Sequence, residues 1–137
     1  MILVDTGPLI ALFDPKDHQH HRCQSILQTL DETLITTTPV LTEAFHLLNP
    51  DSQGAKALRK FIFKGGLNLW FFDKETFQLA LQLMEIYRDR PMDLADASLV
   101  AAAQTLKISR IFTIVRNDFS IYRLRVGYQY KSFEVIS

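Results

Sequence analysis

The sequence predicts an α/β fold in which a central, mostly parallel sheet is covered by helices on both faces. Short strand-like segments alternate along the chain with longer segments of helical periodicity, which is the pattern of β-α-β units. The first segment, Ile2 to Val4, is apolar without interruption, as expected for a strand buried on both sides. Asp5 follows it directly, at the strand end where sheets of this class place their functional sites.

The composition fits one domain over residues 1–137. Apolar residues make up 47 % of the chain, enough to build a core, and neither a repeat nor a linker divides it. The 15 basic and 15 acidic side chains balance. Net charge therefore gives no sign of a nucleic-acid partner, although it leaves room for a local basic patch.

The single cysteine, Cys23, excludes an intrachain disulfide and suits a reducing compartment. Met1 leads into the first strand without the basic segment of a secretory signal, and no apolar stretch is long enough to cross a bilayer. We therefore expect a cytoplasmic protein without membrane association.

In the first half of the chain, a helix is predicted over Asp17 to Leu30 and a strand over Leu34 to Thr38. Thr38 and Pro39 suit the cap and the first position of a following helix, which ends at Asn49-Pro50. The apolar residues of that helix recur at helical spacing, at Leu41, Ala44, Phe45 and Leu48.

The second half of the chain repeats the alternation of strands and helices, and small apolar residues dominate its last long helix. We expect the run "LWFF", Leu69 to Phe72, to lie in the core. The predicted elements are a helix over Ala55 to Lys64, a strand over Leu67 to Phe72, a helix capped by Asp73 and interrupted by Pro91, a helix over Asp93 to Leu106, and strands over Arg110 to Val115 and Phe133 to Ile136.

Acidic residues follow the predicted strands. Asp5 ends the first strand, Glu43 lies early in the helix after the second, Asp93 and Asp96 begin the small-residue helix, and Asp118 follows the strand that begins at Arg110. Each also has a purely structural interpretation. Asp5 suits a turn, Glu43 the edge of an apolar stripe, and the three later aspartates suit helix or turn caps.

Taken together, these acids favour a site. Three carboxylates at one sheet edge repel each other and raise each other's pKa unless a cation lies between them. Oxygen ligands select a hard ion such as Mg²⁺ or Mn²⁺. Such an ion can activate water and neutralise charge on a phosphodiester.

Four segments together, "ILVDTGPLIALFDPKDHQH", "TTTPVLTEAFHLL", "PMDLADASLVAAAQTLKISRIFTI" and "RNDFSIYR", resemble PIN-domain proteins, in particular the toxin nucleases of VapC type. The resemblance implies a Rossmann-like, three-layer α/β/α sandwich and a metal-dependent endoribonuclease. It also implies an RNA substrate, a cognate antitoxin that neutralises the toxin, and a homodimer.

The resemblance also assigns residues. Asp5, Glu43 and Asp96 match the three acids that hold Mg²⁺ or Mn²⁺ and carry catalysis in the family. Thr6 matches the hydroxyl residue that commonly follows the first acid, and Asp93 matches a frequently acidic neighbour.

The chain departs from the family at its fourth acid, where Val115 stands. Valine cannot coordinate a cation, so a second ion is in doubt; Asn117 or Asp118 is a candidate replacement. The alternative function is therefore a weakened or inactive module that binds RNA or an antitoxin without efficient cleavage. A receiver-like phosphorylation domain ranks lower, because no lysine ends a predicted strand.

Two further groups of residues are candidates for binding. The histidine-rich stretch from Asp17 to His21 has no partner cysteine, which favours a solvated helix start over a zinc site. Arginines near the predicted site suit RNA phosphates and two tyrosines suit base stacking, although a solvated surface explains them equally well. These residues are Arg116, Arg123, Arg125, Tyr122 and Tyr128.

Overall fold

The computed structural model describes residues 1–137 and contains a five-stranded sheet in which every pairing is parallel. The predicted α/β fold with a parallel sheet is confirmed. The strand order is β3-β2-β1-β4-β7. The strands are β1 (Ile2–Val4), β2 (Leu34–Thr37), β3 (Asn68–Trp70), β4 (Arg110–Phe112) and β7 (Glu134–Ile136).

Seven helices and a separate antiparallel hairpin connect these strands. The helices are α1 (Thr6–Phe13), α2 (His20–Thr29), α3 (Thr38–Leu48), α4 (Gln53–Phe63), α5 (Lys74–Ile86), α6 (Leu94–Leu106) and α7 (Arg116–Ile121). The hairpin pairs β5 (Arg123–Val126) with β6 (Gln129–Ser132). None of the helices combines the length and the hydropathy that a bilayer crossing needs.

The helices form two layers. Helix α1 packs against α2, α3 and α4, and α5 packs against α6, while α3 also contacts α6. The general right-handed rule for parallel crossovers assigns α1 to α4 to one face of the sheet and α5 and α6 to the other. As predicted, α6 lies against the sheet, since Ala97 and every residue from Leu99 to Ala103 are fully buried. The core therefore runs through the sheet on both sides.

The order of the strands reverses between β1 and β4, because the chain moves from β1 to β2 and β3 on one side and later returns to β4 on the other. Register places Leu3 beside Ile111 and Val4 beside Phe112. The residues that follow these strands, Asp5 and Thr113, thus meet at the C-terminal edge, where ligands of such sheets bind.

Several local predictions need correction. Sequence analysis assigned no helix to Thr6–Phe13 and no hairpin after Tyr122. The cap of α3 is Thr37, whose hydroxyl accepts the Val40 N–H, because the strand ends one residue earlier than expected. Strand β4 stops at Phe112, three residues earlier than expected, since the chain turns over residues 113–115 before α7 begins at Arg116.

Two side-chain predictions also differ. Phe71 is 64 % exposed, because β3 is an edge strand and ends before it. Asp118 lies inside the first turn of α7, so it does not cap that helix. The histidine-rich stretch was expected to be a solvated helix start, but His20 is buried and its Nδ1 lies 2.7 Å from the carbonyl oxygen of Ala11.

Candidate active site

Asp5 both ends β1 and begins α1. Its backbone N–H donates to the carbonyl of Phe112 at 2.9 Å, and its Oδ1 accepts the N–H of Thr6 at 2.8 Å. Only 6 % of the residue is exposed. Burial raises the pKa of the Asp5 carboxyl to about 6; the nearby charges of Glu43 and Asp93 also raise it, against hydrogen bonds that lower it.

Thr113 holds the other oxygen of Asp5. Its hydroxyl donates to Oδ2 of Asp5 at 2.8 Å and accepts the backbone N–H of Val115 at 3.1 Å. Both carboxylate oxygens of Asp5 are therefore fixed by hydrogen bonds. Thr113 is not among the predicted site residues, because the strand was expected to continue to Val115; with β4 ending at Phe112, it is a polar residue just beyond a buried strand, as Asp5 is.

Asp96 lies in the first turn of α6 but does not cap it. Asp93 is the cap, as predicted, because its Oδ1 accepts the N–H of Asp96 at 2.8 Å. The Oδ2 of Asp96 instead accepts the hydroxyl of Tyr122 at 3.0 Å. Burial above all, together with the charges of Asp93 and Asp5, raises the pKa of Asp96 to about 7.

Glu43 lies in α3, half-buried, and shares an open groove with Asp93. The helix is anchored by Thr37, whose hydroxyl lies 2.6 Å from that of Ser98 in α6, with both residues buried. This contact fixes the start of α3 relative to α6. It thereby sets the distance between Glu43 and the acids of α6.

The structure contains no group of three or more His, Cys, Asp or Glu side chains placed to hold one metal ion. Nevertheless, the donor chemistry fits a hard divalent cation. Mg²⁺ commonly uses one or two carboxylates and retains several waters. The charge of Asp5 raises the pKa of Asp96, and the hydroxyl of Thr6 is buried without a hydrogen-bond partner.

The sequence pattern of the PIN domain family matches residues 2–125 of this chain. The chain belongs to the PIN domain family. The match spans both halves of the site, from Asp5 to the residues that follow β4.

Three proteins illustrate what this PIN-domain chain is similar to in sequence or in fold. The chain is 23 % identical over 124 residues to Ribonuclease VapC26 of Mycobacterium tuberculosis, covering 89 % of this chain and 92 % of that protein. It is similar in fold to Mycobacterium tuberculosis VapC20, a sarcin-ricin loop cleaving toxin, with a TM-score of 0.75, 20 % identity, and coverage of 81 % of this chain and 87 % of VapC20. A toxin–antitoxin complex from Klebsiella pneumoniae gives a TM-score of 0.68 at 18 % identity, covering 88 % of this chain and 92 % of that one.

Val115, which stands where the family resemblance predicts a fourth acid, is 48 % exposed and occupies the N-cap position of α7 without a side-chain cap bond. Asn117 is exposed and Asp118 half-buried on the same short helix. The charge of Asp118 contributes to the raised pKa of Asp96, so Asp118 lies on the acidic side of the site.

The predicted RNA-binding residues of this PIN domain differ in how accessible their side chains are to an RNA. Arg116 is exposed and donates from Nη1 to the Ser137 hydroxyl at 2.7 Å. Arg123 is half-buried, and its Nη1 donates to the carbonyls of Ser120, Ile121 and Tyr122. Tyr122 is 1 % exposed, so the expectation that it stacks on a base is wrong.

Proposed function

We propose that this chain is an Mg²⁺- or Mn²⁺-dependent endoribonuclease, the toxin of a toxin–antitoxin pair. Asp5, Glu43 and Asp96 are its catalytic and metal-binding residues, with Thr6 and Asp93 in support. Ribonuclease VapC26, matched over most of both chains, supports the reaction class. The fold shared with a sarcin-ricin loop cleaving toxin is consistent with it.

One observation carries the proposal. Asp5 and Asp96 are far apart in sequence, yet Asp5 lies at the edge where the strand order reverses, and its charge raises the pKa of Asp96. A cation between them would remove this repulsion and allow both to ionise. Perturbed carboxyls in one crevice are typical of functional sites.

The three acids have different roles in the proposed site. Asp5, held by Thr113 and by the N–H of Thr6, is the rigid ligand, and Asp96 offers Oδ1, which accepts no hydrogen bond from the protein. Glu43 is more exposed than Asp5 and lines the same groove as Asp93, and it is the third acid of the proposed site. A bound Mg²⁺ or Mn²⁺ would stabilise charge on the scissile phosphodiester and lower the pKa of water.

The test is cleavage of a panel of structured RNAs with Mg²⁺ or Mn²⁺. Addition of a chelator and, separately, Asp5→Asn should each abolish cleavage. Asp73→Asn is the matched control, since Asp73 only caps α5. Cleavage that persists in chelator contradicts the proposal.

The alternative, a module that binds RNA or an antitoxin without efficient cleavage, is favoured by Val115 alone. A valine at the entrance of α7 supplies neither a ligand nor a cap. Tight RNA binding by the unsubstituted chain, without turnover in either cation, would select this alternative.

The proposed RNA contacts include Arg116 and the hairpin surface, defined as the exposed residues Arg125, Tyr128, Tyr130 and Lys131 of β5, β6 and their turn. No acidic residue lies between Arg123 and Ser132, and Tyr128 is 97 % exposed. Cations and exposed aromatic rings suit the phosphates and unstacked bases of single-stranded RNA. Arg123 is not assigned an RNA contact, because its guanidinium already donates hydrogen bonds to backbone carbonyls.

The proposed protein partners are a cognate antitoxin and a second copy of the chain. Support for the antitoxin comes from the Klebsiella pneumoniae complex and from an open apolar groove between α3, α4 and β3, at whose rim Phe63 is 89 % exposed. The homodimer is tested by sedimentation equilibrium of the isolated chain. A monomeric mass at micromolar concentration would contradict it.

A further inference from the structure

The side chain of Tyr122 is one of the largest fully buried groups in the protein, and it ends at the candidate site. Its ring packs edge-on against Phe119 and Tyr87, with centroids 5.2 Å and 5.0 Å away. Its backbone N–H donates to the carbonyl of Asp118, which closes α7. The ring therefore has little freedom to move.

The hydroxyl of Tyr122 donates one hydrogen bond to a side chain, to Oδ2 of Asp96 at 3.0 Å. A phenol donates one hydrogen bond, and a carboxylate oxygen is a strong acceptor for it. No other hydrogen bond from the protein reaches the carboxylate of Asp96. Without Tyr122, this side chain would therefore have no partner to fix its torsion angles.

We propose that Tyr122 is a positioning residue for the cation site: its hydroxyl holds Oδ2 of Asp96 and leaves Oδ1 free for a hard divalent cation. This inference rests on the proposed function. It places Tyr122 behind Asp96 as Thr113 stands behind Asp5, one hydroxyl donor for each acid. Ligands that are held before the ion arrives lose less conformational entropy on binding.

The absence of a fourth acid makes the positioning of Asp96 by Tyr122 more important. Val115 supplies no oxygen, so the site has fewer carboxylates to share the cation, and the orientation of each matters more. Tyr122 also ties Asp96 to α7, the helix whose N-cap position is occupied by Val115. Cation binding and the position of α7 are therefore linked through one hydroxyl.

The experiment is calorimetric titration of the full chain with Mn²⁺, in the unsubstituted protein and in Tyr122→Phe and Tyr87→Phe. Tyr87→Phe is the matched control, because Tyr87 is the neighbouring ring and its hydroxyl accepts the N–H of Arg123 but touches no acid. Each variant loses one hydroxyl and keeps its ring, and circular dichroism verifies that each is folded.

Tyr122→Phe should weaken Mn²⁺ binding by about 10-fold, the size typical of groups that orient a metal ligand. Tyr87→Phe should bind Mn²⁺ as the unsubstituted chain does. Equal affinity in Tyr122→Phe, or equal weakening in both variants, overturns the inference and leaves the proposed function standing. No Mn²⁺ binding by the unsubstituted chain overturns the proposed cation site and the inference with it.

Discussion

The hydroxyl of Thr113 donates to Oδ2 of Asp5 at 2.8 Å, joining residues 108 positions apart in the chain. This bond crosses the point where the strand order reverses, between the ends of β1 and β4. It fixes the most buried carboxylate of the site before any cation or substrate is present.

Thr113→Val is expected to destabilise the protein by about 1–3 kcal/mol, because it leaves buried polar groups without a partner. Divalent cation affinity should fall as well, since Oδ2 of Asp5 loses its only side-chain donor. Urea unfolding and calorimetry measure the two effects. The matched control is Thr36→Val on β2, whose buried hydroxyl donates to the carbonyl of Val4 and reaches no acid. That variant should lose stability but keep its cation affinity.

Cation removal should lower thermal stability, and Asp5→Asn should cancel that response. A ligand that binds only the folded state stabilises it in proportion to RT ln(1 + [L]/Kd), about 2.7 kcal/mol at a hundredfold excess over Kd. Thermal unfolding in Mg²⁺ and in chelator measures the change in melting temperature that the cation causes. A melting temperature that is independent of the cation in the unsubstituted chain would contradict the proposed site.

The chelated protein should lose stability as the pH rises through 6 and 7, because the pKa values of Asp5 and Asp96 stand at about 6 and about 7 in the fold, above the ordinary 3.8. In this interval the folded state holds more protons than the unfolded chain, so their stabilising contribution is complete below about pH 4 and is lost at higher pH. Glu43, Asp93 and Asp118 add charges that act in the same direction.

The contribution of Asp5 to this pH dependence is measured by comparison with Asp5→Asn in urea at each pH. The amide does not titrate, so the variant should gain about 3 kcal/mol relative to the unsubstituted chain between pH 4 and 8. Added Mn²⁺ should abolish the loss in the unsubstituted protein. A stability difference that does not change with pH would show that Asp5 titrates normally.

Val115→Asp should raise both cation affinity and RNA cleavage, since it restores an acid at the start of α7. The same change also supplies a missing N-cap, worth about 1 kcal/mol. Val115→Asn separates the two effects, because asparagine caps a helix without adding charge. We expect Val115→Asn to increase the free energy of unfolding only. If both variants leave cleavage unchanged, the site works without a fourth acid.

Substitution of the hairpin surface should weaken RNA binding in a salt-dependent way. Replacing Arg125 and Lys131 with glutamine should reduce the slope of log affinity against log salt concentration by about 0.7 for each lost phosphate contact with a single strand. Arg123→Gln should leave the slope unchanged and lower stability, because its guanidinium binds three carbonyls at the end of α7. Filter binding over a salt series distinguishes these outcomes.

The parallel sheet could be predicted because its signals are local. Continuous apolar strands, the cap at Asp73 and the cap at Asp93 each depend on a few adjacent residues, and the structure confirms them. The short helix after Asp5 was missed because Gly7 and Pro8 within its first turn favour a turn when read locally. The hairpin was missed because its strands pack mainly through Leu124 and expose most other side chains.

The sequence by itself determined the family pattern, the alternation of the sheet strands with helices, and which residues are acidic. Only the tertiary structure decided which hydroxyl meets which acid: Thr113 for Asp5, and Tyr122 for Asp96. It also decided that Tyr122 is buried and that Arg123 is occupied by backbone carbonyls. The physical reason is that a hydrogen bond between distant residues depends on strand register and helix packing, which no short stretch of sequence encodes.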